Sequence, residues 1–165
     1  MISWLTMSNE YKTSAIVLGM HDALVSQTGI ITGLAFSLAD SRLIIMTAII
    51  SAVADGLSMM ASNYLAECER SMRKTAVYAG LYTGAAYLGT SALLIIPFFI
   101  TENTNHAIVA SFIIAAIVIF LFNWCTARNG PRKLWHKFFE MLGICAGVSF
   151  VAYFIGIIAK KVLGI

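Results

Sequence analysis

Long apolar runs, each the length of a membrane-spanning helix, repeat along the whole chain. Because an α-helix rises about 1.5 Å per residue, about 20 apolar residues cross the hydrocarbon core of a bilayer. The segments between the runs are short, and no linker or low-complexity stretch divides the chain. The pattern predicts one all-α integral membrane domain over 1–165, with five transmembrane helices at about 14–39, 43–67, 76–100, 106–126 and 138–160.

The composition agrees with lipid as the surroundings of most of the chain. Of the 165 residues, 59% are hydrophobic and 12% are charged, and the mean hydropathy is +0.84. A soluble domain carries about twice this charged fraction. The net charge of +3 does not indicate binding to nucleic acid. A short chain without a targeting segment is expected in a prokaryotic plasma membrane.

Basic residues are distributed unevenly between the two ends of the predicted helices. With a cytoplasmic N-terminus, eight lie on the cytoplasmic side and three (Arg42, Lys160 and Lys161) lie on the far side. Because short loops rich in Lys and Arg stay in the cytoplasm, the count predicts a cytoplasmic N-terminus and a C-terminus on the far side. The cytoplasmic residues are Lys12, Arg70, Arg73, Lys74, Arg128, Arg132, Lys133 and Lys137.

Glycines recur at helix-packing spacing in the first, third and fifth predicted spans. Small residues four positions apart let two helix backbones approach closely in lipid. Each pair fits packing within one chain at least as well as contact between two subunits. The pairs are Gly29 with Gly33, Gly80 with Gly84, and Gly143 with Gly147.

Two aspartates inside the predicted spans, Asp22 and Asp55, are the most informative polar positions. An ionised carboxylate in the middle of a bilayer is costly, so it needs partners or serves a purpose. Neither aspartate has a Lys or Arg nearby in its own helix. The alternative to a functional role is a protonated Asp that forms a hydrogen bond with a neighbouring helix.

A regular polar face follows Asp55 on the second helix. Met59, Asn63 and Glu67 come at successive steps of four residues, so the four side chains share one face. The rise per residue places Asp22 roughly 15 Å and Met59 about 16 Å from the basic residues at their helix ends, which predicts a similar depth. Carboxylate oxygen together with thioether sulfur favours a transition metal over Mg²⁺ or Ca²⁺.

So few ligands do not complete the coordination shell of a metal ion. A symmetric dimer would double them if the site lay on its two-fold axis. Carboxylates that lose protons when they bind metal would also couple metal movement to proton movement.

Several stretches resemble the vacuolar iron transporter family, especially its prokaryotic branch. Residues 21–26 and 29–35 are similar to the first-helix motif of the family. Residues 54–66 are similar to its second-helix signature, with Ser58 before Met59 and Tyr64 before Leu65. The resemblance covers nearly the whole chain, because it extends to Tyr82, Thr83, Gly84, Pro97, Phe98 and residues 140–143.

The resemblance implies a five-helix homodimer that exports Fe²⁺ or Mn²⁺ from the cytoplasm along a path between its subunits, in exchange for protons. The metal ion is then the transported substrate, and no permanently bound cofactor is expected. The mid-membrane Asp and Met of the family match Asp22 and Met59.

The chain departs from the family pattern at four places. Ala23 stands where the family usually has Gly, Asn63 where many members have Glu, and Ser51 where plant members have another Glu. Plant members also carry a long cytoplasmic metal-binding domain between the second and third helices. Here only residues 68–75 fill that gap, so the domain is absent.

The leading hypothesis is a proton-coupled transporter of divalent metal ions and not an enzyme. Asp22 and Met59 would bind the metal, with Asp55 as a second ligand or proton carrier. The cytoplasmic mouth would be formed by Asn63, Glu67 and Glu69, although the two glutamates also fit a simple charged helix end. The alternative is a non-transporting membrane scaffold or partner subunit. A membrane-bound redox enzyme is disfavoured, because the sequence has no Glu-x-x-His pair.

Overall fold

The described part of the chain consists of α-helices joined by short connections and contains no strand. In this computed structural model the described residues are 2–37, 40–70, 72–101, 103–126 and 131–164, with side chains described at 12–37, 40–70, 72–101, 103–124 and 135–164. The helices are α1 (Ile2–Ser37), α2 (Ser41–Cys68), α3 (Arg73–Ile100), α4 (Thr104–Thr126) and α5 (Pro131–Leu163).

All five helices are long and apolar enough to cross a membrane. This result confirms the predicted fold class, an all-α integral membrane protein with five transmembrane helices. Apart from the N-terminal part of α1, nearly all of each helix belongs to its spanning stretch. The spanning stretches are Lys12–Ser37, Ser41–Cys68, Arg73–Ile100, Thr104–Trp124 and Trp135–Leu163.

The helices contribute to two compact units, each with its own internal contacts. Unit 1 comprises Met1–Ala23 and Ile49–Ala92, and therefore contains the first part of α1 and most of α2 and α3. Unit 2 comprises Leu24–Ala48 and Leu93–Ile165, and contains the remaining parts of these helices with all of α4 and α5. The aspartates and the methionine singled out by the sequence all lie in unit 1.

In unit 1, glycines of α3 allow this helix to lie directly against α2. A Cβ atom added to Gly80 would be 2.7 Å from the Met60 carbonyl oxygen, and one added to Gly84 would be 3.0 Å from the Met60 Cβ. Both distances are too short for a larger residue without a shift of the helices. The Gly80 and Gly84 pair therefore serves packing within one chain, which was one of the two interpretations left open.

Helix α1 approaches α3 equally closely in unit 1. A Cβ atom on Gly19 would overlap the backbone carbonyl oxygen of Thr83. Since a backbone atom cannot rotate away as a side chain can, any residue larger than Gly must separate the two helices. Gly19 and Thr83 thus fix the distance between α1 and α3.

In unit 2, the first glycine pair packs against α5. A Cβ atom on Gly29 would be 3.0 Å from Val148 Cγ1, and one on Gly33 would be 3.3 Å from the Ala152 carbonyl oxygen. Gly156 returns the contact, since its Cβ would overlap the carbonyl of Gly33. This pair also serves packing within the chain.

The third glycine pair behaves differently, because Cβ atoms on Gly143 and Gly147 would meet no described atom within 4 Å. Both positions are exposed on α5. The same four-residue spacing of glycines therefore lies in a close helix–helix contact in the first two pairs. In the third pair it lies on a face of α5 that no described atom covers.

Polar and aromatic contacts join the remaining helices of unit 2. The Ser111 hydroxyl of α4 donates a hydrogen bond of 2.7 Å to the Leu94 carbonyl oxygen of α3. Phe120 of α4 contacts Trp135 and Phe138 of α5, with ring centroids 6.3 Å and 6.1 Å apart. Aromatic rings near helix ends are typical of the interface between a membrane and water.

The Gly19 contact predicts a steric cost for the smallest possible side chain. We expect Gly19→Ala to lower the free energy of unfolding by about 1–3 kcal/mol, the usual cost of overpacking, despite the higher helix propensity of Ala. The matched control is Gly89→Ala in α3, where an added Cβ meets nothing within 4 Å. Thermal unfolding in detergent compares the two. A Gly19→Ala protein that melts at or above the wild-type temperature would contradict the close approach.

Candidate metal site in the membrane

The polar face of α2 runs along the border between its packed side and its exposed side. Asp55, Met59, Asn63 and Glu67 are all half-buried in the described chain, whereas Gly56, on the side that faces α3, is buried. These four side chains are therefore held in place by α2 and can still be reached from outside the α2–α3 pair. A ligand face needs both properties.

Asp55 is held by hydroxyl groups from two helices of unit 1. The Ser51 hydroxyl, one turn earlier in α2, donates a hydrogen bond of 2.7 Å to Oδ2 of Asp55. The phenol of Tyr87 in α3 donates a second hydrogen bond of 3.2 Å to the same oxygen. Hydrogen bonds to a carboxylate are among the stronger neutral-donor contacts and stabilise negative charge on that oxygen.

Asp22 of α1 and Asp55 of α2 both lie in unit 1 and inside membrane-spanning stretches. Its side chain is exposed in the single chain, whereas Asp55 is half-buried. Two neighbouring carboxylates repel each other when both are ionised, and a proton or a bound cation removes that repulsion. The equal depth of Asp22 and Met59 stays a prediction.

Asn63 has a structural contact in addition to its place on the polar face. Its Nδ2 donates a hydrogen bond of 2.6 Å to Thr83 Oγ1 and one of 3.3 Å to the Ala79 carbonyl oxygen of α3. The Thr83 hydroxyl in turn lies 3.1 Å from the Ala15 carbonyl oxygen of α1. Asn63 thus links α2 to a junction of three helices. Its predicted role at the cytoplasmic mouth rests on position alone.

The two glutamates mark the end of α2. Glu67 is half-buried in the last turns of the helix, and Glu69 is exposed in the turn that follows Cys68. Among the residues whose side chains are described, no group of three or more His, Cys, Asp and Glu is arranged to hold a metal ion. The described part of one chain therefore offers a few separate candidate ligands and not a closed coordination shell.

An apolar groove between α2 and α3 lies close to this face without belonging to it. Its volume is about 300 Å³, and it is open to the outside. The groove offers no carboxylate, and its single sulfur belongs to Met60. We therefore assign it no role in metal binding. It is lined by Met60, Ala61, Tyr64, Val77, Gly80 and Leu81.

Sequence reasoning did not find every residue that shapes the site. Tyr87 and Thr83 are fully buried polar residues of α3, and both bond to residues of the α2 face. Ser51 attracted attention only as a departure from the plant sequences. A signal existed, since Thr83 and Tyr87 are four residues apart and so share one side of an otherwise apolar helix.

These features define a polytopic α-helical membrane protein with ionisable residues inside its spans, which is typical of ion transporters. A family model described as the VIT family matches residues 13–71 and 68–157, which is most of the chain. The chain belongs to this family, the vacuolar iron transporters. Membership indicates a metal ion transporter. None of the curated proteins matches the chain.

The junction at Thr83 predicts a stability effect separate from metal binding. We expect Thr83→Val to lower the free energy of unfolding by about 1 kcal/mol, because the half-buried Asn63 amide loses the shorter of its two hydrogen bonds. Thr90→Val is the matched control, since Thr90 is buried in the same helix and takes no part in this hydrogen-bond network. Thermal unfolding in detergent measures both. Equal melting temperatures for the two variants would show that the junction does not stabilise unit 1.

Proposed function

We propose that the chain exports Fe²⁺ or Mn²⁺ from the cytoplasm, in exchange for protons, along a path in a homodimer. The observation that carries the proposal is the presence of two carboxylates, Asp22 and Asp55, inside membrane-spanning helices of one compact unit. A hydrocarbon environment penalises even one ionised carboxylate, so two neighbouring ones need a positive charge to share. A divalent metal ion supplies it.

The chemistry of the neighbouring side chains favours a transition metal. Met59 follows Asp55 by one turn on the same half-buried face. Thioether sulfur is a soft ligand, which Mg²⁺ and Ca²⁺ do not prefer, whereas Fe²⁺ and Mn²⁺ accept a mixed set of oxygen and sulfur ligands. Asp22, Asp55 and Met59 are therefore the proposed ligands at mid-membrane.

The small number of ligands supports a dimer with the path between its subunits. Only 22% of the most apolar stretch of α2 is buried within the chain, against 56% of that of α1. The exposed side of α2 carries small residues that permit close helix contact in lipid: Ala54, Ser58, Ala61 and Ser62. Two α2 helices packed by this side would bring two sets of ligands towards one axis.

Exchange of metal for protons follows from the same carboxylates. A carboxylate must be deprotonated to bind a metal ion, so each ion that enters displaces protons and each ion that leaves allows protons to return. With a cytoplasmic N-terminus, Glu67 and Glu69 lie at the cytoplasmic mouth, beside Asn63, and attract cations there. The proposed location is a prokaryotic plasma membrane.

A scaffold function remains the alternative, and one observation favours it. Asp55 bonds to Tyr87 and Asn63 bonds to Thr83, so both polar residues join α2 to α3. A chain that used them only for helix pairing would tolerate Asp55→Asn, because Asn accepts the same hydrogen bonds, and would move no metal. Membership in a family of transporters weighs against this alternative.

Transport by the purified protein in liposomes separates the two functions. We expect Fe²⁺ and Mn²⁺ to enter the lumen, and to enter faster when the lumen is acidic, because outward proton flow drives metal uptake. Uptake is measured with a metal-sensitive dye inside the liposomes. Absence of uptake at every pH gradient would refute the proposal and leave the scaffold function.

Removal of one carboxylate tests the site itself. We expect Asp22→Asn to reduce Mn²⁺ uptake by about tenfold or more, since changes near a metal ligand already cost about 10–100-fold in affinity. The corresponding Asp22→Ala variant should abolish metal tolerance in cells without leaving the membrane. Asp40→Asn is the matched control, because Asp40 is exposed and accepts a backbone hydrogen bond from Arg42 that Asn retains. Full uptake by Asp22→Asn would refute the assignment of Asp22.

A further inference from the structure

Two hydroxyl groups from different helices converge on a single oxygen of Asp55. Ser51 Oγ lies 2.7 Å from Oδ2, and Tyr87 Oη lies 3.2 Å from it. The other carboxylate oxygen, Oδ1, takes neither of these bonds. The two hydroxyls thus distinguish two oxygens that are chemically equivalent in a free aspartate.

The backbone of α2 is shaped to bring Tyr87 to this position. The residue after Asp55 is Gly56, and a Cβ atom there would be 3.3 Å from Tyr87 Cδ1 and 3.1 Å from the Leu88 side chain. The ring of Tyr87 is fully buried, so its hydroxyl has a fixed direction. Because Gly56 leaves room for the ring, the hydroxyl reaches Asp55 across the contact between the helices.

Such an arrangement restricts the carboxylate more than one hydrogen bond would. The terminal torsion of Asp is broad and roughly two-fold, so a single donor leaves the group free to turn about the bonded oxygen. Donors from two directions reduce that freedom. A ligand whose orientation is fixed before the ion arrives loses less entropy on binding than one that must be ordered.

From this geometry we infer that Ser51 and Tyr87 are positioning residues, which hold the Asp55 carboxylate in the orientation in which it meets the transported cation. The inference rests on the proposed function and deepens it, because it gives Asp55 the role of a pre-oriented ligand. Neither hydroxyl touches the cation. Their proposed effect on transport passes through Asp55.

The test uses the full-length protein in liposomes and removes single hydroxyl groups. Tyr87→Phe keeps the buried ring and Ser51→Ala keeps the helix, while Ser51→Thr restores a hydroxyl. We expect Tyr87→Phe and Ser51→Ala each to raise the KM for Mn²⁺ uptake by about tenfold, as for loss of a hydrogen bond to a charged group. The maximal rate should change by less than about twofold, and Ser51→Thr should resemble the wild type.

Matched controls come from the same helix. Tyr82→Phe removes a tyrosine hydroxyl of α3 outside this cluster, and Ser91→Ala removes a buried hydroxyl that has no hydrogen-bond partner among the described residues. Both should keep the wild-type KM. In an Asp55→Ala background, which has no side-chain acceptor at position 55, Tyr87→Phe should cause no further change, because two residues that act through one group are not additive.

A spectroscopic measurement tests the geometry independently of transport. The infrared carboxylate band of Asp55 is identified by its loss in Asp55→Asn, and we expect it to shift in Tyr87→Phe but not in Tyr82→Phe. An unshifted band would overturn the inference, and so would an equal rise in KM with and without Asp55. If the wild-type protein moved no Mn²⁺, the proposed function would fail, whereas the infrared band would still decide whether the hydroxyls hold Asp55.

Discussion

The energetic cost of a carboxylate in hydrocarbon constrains the rest of this structure. Lipid offers neither water nor counter-ions, so every stabilising partner of Asp55 must come from the protein. The chain supplies the hydroxyls of Ser51 and Tyr87. The hydrogen bond from Tyr87 to Asp55 requires close contact between α2 and α3, because a side chain of one helix must reach an acceptor on the other.

Small residues meet that condition in unit 1. Gly19 brings α1 to the Thr83 carbonyl, and Gly80 and Gly84 bring α3 to Met60. The same helix contacts that exclude larger side chains carry the hydrogen bonds between Asn63 and Thr83 and between Asp55 and Tyr87. The close glycine contacts between the helices thus allow the hydrogen bonds between them to form.

The number of helices follows from the sequence because a membrane span is encoded locally, in about 20 consecutive apolar residues. The face formed by Asp55 and Met59 also follows locally, from a spacing of four. The donors to Asp55 depend instead on the register of α3 against α2, which no local pattern fixes. Tyr87 therefore reads as an ordinary residue of an apolar span. The glycine pairs show the same limit, since equal spacing ended in contact at Gly80 and in an open face at Gly143.

The position of Tyr87 and Thr83 in α3 has a consequence for the biogenesis of the protein. A ribosome completes α1 and α2 before it makes α3, so Asp55 and Asn63 reach the insertion machinery before their hydrogen-bond partners Tyr87 and Thr83 exist. The first helix is also the least hydrophobic of the five spans, with a mean hydropathy of 1.2. Stable integration of α1 and α2 should therefore await the synthesis of residues 83–87, with the third helix acting as the step that commits the first two to the bilayer.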